Sequence, residues 1–205
     1  MEDGERRKQE KLTSEYYNVH SDEYVERTVN IEMNPLYEKF CPLLPNGSSI
    51  LDAGCGSGRD SRYFIDQGYR VQSFDASEEM VRISSEFTGQ KTRCLQFKEM
   101  DYSEEFDGIW SSACLLHVPD EDLELVFGKF LAALKSNAYW LMTFKKGKDE
   151  GVEGGRYFNY HTEQSLRKLI EKFPDLQVID FSEEDSFDMG RDLTWIQVVL
   201  RKNPR

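Results

Sequence analysis

The sequence predicts an α/β domain: a three-layer sandwich around a mostly parallel seven-stranded sheet, with an antiparallel hairpin at the C-terminal edge and a helical cover at the N-terminus. Three observations predict it. From residue 48 onward, short apolar runs alternate with stretches of helical spacing, the pattern of strands joined by crossover helices. The first run ends in a glycine-rich turn, GCGSG at 54–58. The last two runs are joined by DSFDMGRD, too short to hold a crossover helix, so they pair antiparallel. A chain of 205 residues suits one domain. No repeat, low-complexity tract or linker divides residues 1–205.

Each element follows from local signals. Residues 1–11 are a charged lead-in, expected to be mobile. Residues 12–42 are polar with scattered aromatics and read as two helices forming a lid segment, the second stopping near Pro42. NGS at 46–48 is a turn. SSILDA is the first strand, followed by a helix from about Gly58 to Gln67 that Gly68 ends. YRVQSFDA is a strand. Ser77 caps the next helix, with Glu78 and Glu79 in the favoured first turn. RCLQFKEMD and FDGIWSSACLL are strands three and four. Pro119 opens a helix whose stripe is Leu123, Val126, Phe127, Phe130, Leu131 and Leu134. AYWLMTF is strand five. Thr162 caps a helix ended by Pro174, and LQVIDFSEE and LTWIQVVLRK are the final pair.

Composition narrows the function. Hydrophobic residues make up 39% of the chain, too many for a disordered one. The formal net charge of −12 opposes nucleic acid and anionic membranes over most of the surface, so small molecules become the expected partners. The four cysteines, Cys41, Cys55, Cys94 and Cys114, form no CxxC pair. They read as separate buried thiols, without metal or disulfide. No stretch approaches the roughly 18 apolar residues of a membrane span, and the expected location is cytoplasmic. Oligomeric state is not legible.

The glycine turn carries the chemistry. It lies at the carboxyl end of the first strand, where open α/β sheets bind ligands. Glycine lets a ligand approach the backbone, and the following helix offers free N–H groups. A dinucleotide turn is spaced G-x-G-x-x-G; here Gly54, Gly56 and Gly58 recur at every second position and Arg59 follows. Asp52 at the mouth of the turn would repel a pyrophosphate by a few kcal/mol, on the order expected for a partly buried site. S-adenosylmethionine has no phosphate, and Asp52 can pair with its cationic end.

ILDAGCGSGRDSRYF resembles motif I of the class I S-adenosylmethionine-dependent methyltransferases. The likeness continues through VQSFDAS, FKEMDYSEEFDGIW, SSACLLHVP and GRYFNYHTEQSLRKLI, from about residue 12 to the end. Order and spacing are similar to those of the small bacterial methyltransferases of the tellurite-resistance type. The resemblance implies a Rossmann-like fold and S-adenosylmethionine as cofactor. It assigns the ribose hydroxyls to Asp75 and the adenine amino group to Asp101, with Met100 and Tyr102 against the ring. Asp52, Gly54, Gly56 and Gly58 hold the methionine part, beside the backbone at Ser111 and Ser112. Cys55, Arg59, Ala76 and Met80 complete the candidate cofactor residues. The family also covers its site with an N-terminal segment, for which Tyr16, Tyr17, Tyr24 and Arg27 are candidates.

The implied reaction is in-line methyl transfer to an O, N or S nucleophile of a small molecule. A non-catalytic cofactor-binding protein and a nicotinamide-dependent oxidoreductase are the alternatives. His117 in LLHVP is the candidate general base. Residues 145–160 read as a lid lined by Lys145, Arg156, Tyr157 and Phe158, with Arg191 beside them.

Overall fold

The computed structural model describes residues 3–188 and 191–204, with side chains for 11–186 and 192–204. Period-two alternation across one sheet organises it. In β1 (Ser49–Ala53), Ile50 and Leu51 enter opposite cores; so do Ile109 and Trp110 of β4 (Phe106–Ser111), and Trp140 and Leu141 of β5 (Leu134–Lys145). A sheet apolar on both faces must be covered on both. On one side, α3 (Asn34–Phe40) and α4 (Arg59–Asp66) bring Tyr37, Phe40 and Phe64 against Trp110. On the other, α6 (Asp120–Ala133) and α7 (Glu163–Ile170) bring Phe127, Phe130 and Leu166 against Trp140.

The remaining strands are β2 (Arg70–Asp75), β3 (Arg93–Cys94), β8 (Leu176–Asp188) and β9 (Arg191–Lys202), and the order is β3-β2-β1-β4-β5-β9-β8. Strands β1 to β5 pair in parallel, whereas β9 runs antiparallel to both β5 and β8. This is the expected seven-stranded sheet with its edge hairpin. The order reverses at the β1–β4 pair, so their carboxyl ends open a crevice. Helix α5 (Glu78–Thr88) starts at the expected cap, Ser77 accepting from the Met80 N–H at 3.2 Å.

Several elements differ from expectation. The N-terminal cover has three helices, α1 (Asp3–Val19), α2 (Ser21–Thr28) and α3, and α1 begins inside the charged lead-in. Strand three contributes only Arg93 and Cys94 to the ladder, because a 3-10 turn at Phe97–Glu99 takes the chain off the sheet. Leu134 belongs to β5, not to the preceding helix. Residues 145–160 are an ordered hairpin of β6 (Glu150–Glu153) and β7 (Arg156–Asn159). Its two-residue turn is Gly154-Gly155, both at positive φ, the combination that tight hairpins favour. The side chain of Arg191 lies outside those described. Of the cysteines only Cys114 is buried; Cys94 is exposed and the other two are half-buried.

Gly58, like Gly54, leaves no room for a side chain in the turn. Its φ is +82°, and a Cβ there would sit 2.6 Å from Ser84 Oγ. Gly58→Ala should destabilise the protein by about 2–4 kcal/mol, combining left-handed strain with the clash. Gly68→Ala, at φ +86° in open space, should cost about 1–2 kcal/mol. Urea unfolding of the two variants checks the difference.

Candidate functional site

The crevice at the ends of β1 and β4 is a cavity closed from above by α1 and α2. Its floor includes Gly54, Gly56, Asp75, Ala76, Met80 and His117, six of the residues expected there. Asp75 ends β2 and is fixed by two backbone donors: the Gly56 N–H reaches its Oδ2 and the Ser77 N–H its Oδ1, each at 2.9 Å. Burial pushes its carboxyl above the ordinary value, while these donors oppose that rise. Each carboxylate oxygen keeps a second lone-pair direction for a ligand hydroxyl.

Other expected residues are placed elsewhere. Asp52 does not stand in the mouth of the turn. It is buried beneath it at 2% exposure, accepting from Ser61 Oγ at 2.6 Å. Burial, with Asp60 nearby, pushes its carboxyl up to about 8. A carboxyl neutral at pH 7 gives a pyrophosphate little repulsion, so the charge argument against a dinucleotide loses its force. Arg59 pairs with Asp60 and donates to the Thr28 carbonyl at 3.0 Å, tying α2 down to α4. Asp60 also accepts from Tyr37 and from the Trp110 indole. Cys55 approaches Ser84, and Gly58 faces α5; neither lines the cavity. Ser111 is wholly buried, accepting from Trp140 and donating to the Leu141 carbonyl.

Met100, Asp101 and Tyr102 lie on a different, open groove beside α6. Asp101 is exposed, 3.8 Å from Arg93, whose guanidinium covers the Tyr102 ring. The early 3-10 turn puts Leu95, Gln96, Phe97 and Lys98 on the cavity instead, opposite Val118 and Val126. This apolar slot with a carboxamide at its edge suits a flat heterocycle. Its sequence signal was the Gln96–Glu99 capping box, in which Gln96 and Glu99 exchange hydrogen bonds.

The cover supplies what sequence spacing hides. Thr13, Ser14, Tyr17 and Tyr24 line the roof. Asn18 accepts from Ser77 Oγ at 2.6 Å, and Thr13 accepts from the Tyr157 N–H at 3.0 Å. Tyr24 comes within 3.5 Å of where a Gly56 Cβ would be. Arg27 instead lies over the Tyr24 ring.

At the inner end, His117 Nδ1 lies 2.6 Å from the Tyr157 carbonyl. A carbonyl only accepts, so Nδ1 carries the proton and Nε2 is the bare nitrogen. Tyr17 donates its hydroxyl to that nitrogen at 3.0 Å. Burial, helped by Arg156 and Lys145, pushes the His117 imidazole down to about 3. Tyr17 is raised by burial, with Arg156 pulling the other way.

Known proteins share part of this sequence and most of this fold. Residues 50–137 match the model of a methyltransferase domain. The chain shares the Rossmann-like fold of solved methyltransferases. Three uncharacterized methyltransferases of Schizosaccharomyces pombe are 28% identical over 82 residues, covering 37% of this chain and 57% of theirs. The chain therefore spans little more than half the length of these curated relatives. A 1,6-didemethyltoxoflavin N1-methyltransferase of Burkholderia thailandensis, crystallised with 1,6-didemethyltoxoflavin and S-adenosylhomocysteine, superposes with TM-score 0.72 and 22% identity, covering 92% of this chain and 89% of that one. A SAM-dependent methyltransferase of Methanosarcina mazei gives TM-score 0.74 and 16% identity, covering 85% of this chain and 100% of that one. Within the matched residues 50–137 lie the glycine turn, Asp75, the 95–98 slot and His117; Tyr17 and Arg156 lie outside them. Among the described residues, no helix is long and apolar enough to cross a membrane, and no group of three or more His, Cys, Asp or Glu side chains could hold a metal ion.

Asp52 gives a stability test. Its folded carboxyl holds a proton up to about pH 8, whereas the unfolded one releases it near pH 4. Between those values the folded state binds more protons, so stability is lost as pH rises. Asp52→Asn keeps the acceptor for Ser61 and removes the titration. The variant's unfolding midpoint should fall less than the wild type's between pH 6.5 and 8.5, measured by calorimetry.

Proposed function

We propose that the protein transfers a methyl group from S-adenosylmethionine to an O, N or S nucleophile of a small molecule. The observation that carries this reading is one cavity lined by both Asp75 and the Tyr17–His117 pair. The residues fit the donor. Asp75 would take the ribose hydroxyls, and the Leu95–Lys98 slot with Val118 and Val126 would take the adenine. The backbone at Gly54, Gly56 and Ala113 would border the methionine part. When bound, S-adenosylmethionine supplies an electrophilic methyl on a sulfonium. The similarity to methyltransferases of Burkholderia thailandensis and Methanosarcina mazei supports this chemistry.

The chain's own residues contribute position and a proton path. The roof of Thr13, Tyr17 and Tyr24 excludes water and confines the acceptor. The Tyr17 hydroxyl donates to His117, leaving its lone pairs toward the cavity. As the acceptor atom gains its methyl group, its own proton becomes acidic. That proton passes to the Tyr17 oxygen while the Tyr17 proton moves to His117 Nε2. The Nδ1–H bond to the Tyr157 carbonyl holds the ring in this orientation throughout. Burial makes His117 a weak resting base, so its transfer runs late, once the acceptor has turned positive.

Binding and turnover test the reading in turn. Calorimetry should detect S-adenosylmethionine and S-adenosylhomocysteine but not NAD. Tight NAD binding alone would overturn the proposal, and binding without transfer of labelled methyl to any metabolite would leave a non-catalytic binder. Tyr17→Phe and His117→Asn should each lower turnover by roughly 10²–10⁴-fold while leaving S-adenosylhomocysteine affinity nearly unchanged. Because His117 stays neutral far below pH 6, turnover should show no acid limb near pH 6.5. A limb there that vanishes in His117→Asn would contradict the assigned state.

A further inference from the structure

Around the ring of Phe158 the charge balance of the protein is locally inverted. The Arg156 guanidinium lies 5.0 Å from the Phe158 centroid on β7, and Lys145 Nζ lies 4.6 Å from the same centroid at the end of β5. His117 packs on that ring as well, with centroids 4.9 Å apart. Two cations thus converge beside the proton-handling pair of a chain whose net charge is −12.

Arg156 is the more telling of the two. Its guanidinium is boxed by aromatic rings, 4.8 Å from the Tyr16 centroid and 5.9 Å from that of Tyr17. Nη1 reaches the Tyr17 hydroxyl only at 3.5 Å, and Nε is buried with no hydrogen-bond partner. The titratable groups that act on it are the phenols of Tyr17, Tyr16 and Tyr24; among the described residues no carboxylate pairs with it. A half-buried guanidinium with an unmet N–H is costly to maintain unless a ligand completes it. The sulfonium of the proposed donor adds further positive charge close by, which disfavours a cationic acceptor in the same space.

We infer that Arg156, with Lys145 beside it, is the acceptor-recognition element of the site, and that it selects a small molecule carrying a carboxylate or phosphate. The anion pairs with the guanidinium fork, and the nucleophile is thereby presented to the Tyr17 hydroxyl. This rests on the methyl-transfer reading above and names the substrate class of that site.

The test uses the full chain loaded with S-adenosylhomocysteine, titrated by calorimetry with benzoate, phenyl phosphate, benzyl alcohol and benzylamine. Benzoate or phenyl phosphate should bind measurably better than the alcohol and the amine. Which anion binds better separates a carboxylate from a phosphate acceptor. Arg156→Gln should weaken anion binding by roughly 10–100-fold, the range for one hydrogen bond to a charged group, and Arg156→Lys should restore part of it. S-adenosylhomocysteine affinity should be the same in all three proteins. Equal binding of the neutral and anionic probes, unchanged anion binding in Arg156→Gln, or no anion binding to the loaded protein would each overturn the inference. Failure to load S-adenosylhomocysteine would instead overturn the donor reading, which separates the two outcomes.

Discussion

The side-by-side parallel pairing of β1 and β4, with Asp52 opposite Trp110, is the constraint from which the site follows. The chain leaves β1 into α4, whose Phe64 packs on one face of the sheet. It leaves β4 toward α6, whose Phe127 and Phe130 pack on the other. Connections that depart to opposite faces cannot cover the rim between them, so a crevice remains at the carboxyl ends. The glycine turn after β1, Asp75 after β2 and His117 after β4 border that crevice because each lies just beyond its strand.

Beneath the crevice lies a second layer of polar groups that hold it in shape. Asp60 gathers bonds from Tyr37, Trp110 and Arg59, while Asp52 accepts from Ser61. These groups join three elements: α3 through Tyr37, the sheet through Trp110, and the cover through the bond from Arg59 to Thr28. The cover is thus anchored to the same network that supports the glycine turn. Further ties run from Asn18 to the start of α5 and from Thr13 to β7. A ligand of nucleoside size must displace or wait for this roof, which makes binding and cover position linked equilibria.

The acidic surface and the cationic pocket answer different requirements. A net charge of −12 repels polyanions too large to enter, whereas the field inside a cleft is set by the nearest groups. Arg156 and Lys145, brought near the Tyr17–His117 pair by the β6–β7 hairpin and the end of β5, are the cations that act on His117. The aromatic rings around them lower the cost of holding cations away from water.

The sequence by itself determined the sheet, the helices, the glycine turn and the position of Asp75. These rest on local rules: alternation along a strand, caps such as Ser77, and glycine where φ must be positive. It also carried Gly154-Gly155, a hairpin signal that composition disguised as a loop. Tertiary structure decided which polar residues meet the cavity. Asp52 is the last residue but one of β1 and Asp75 the last of β2, yet only Asp75 lies on the cavity wall; which side of the turn such a residue takes depends on the packing around it. The 3-10 turn after Cys94 moved the flat slot from Met100–Tyr102 to Leu95–Lys98, a shift that apolar content does not encode. Tyr17 and His117 stand 100 positions apart, and no periodicity links residues at that distance. Only the folded cover, closing over the sheet, could bring a phenol to that imidazole.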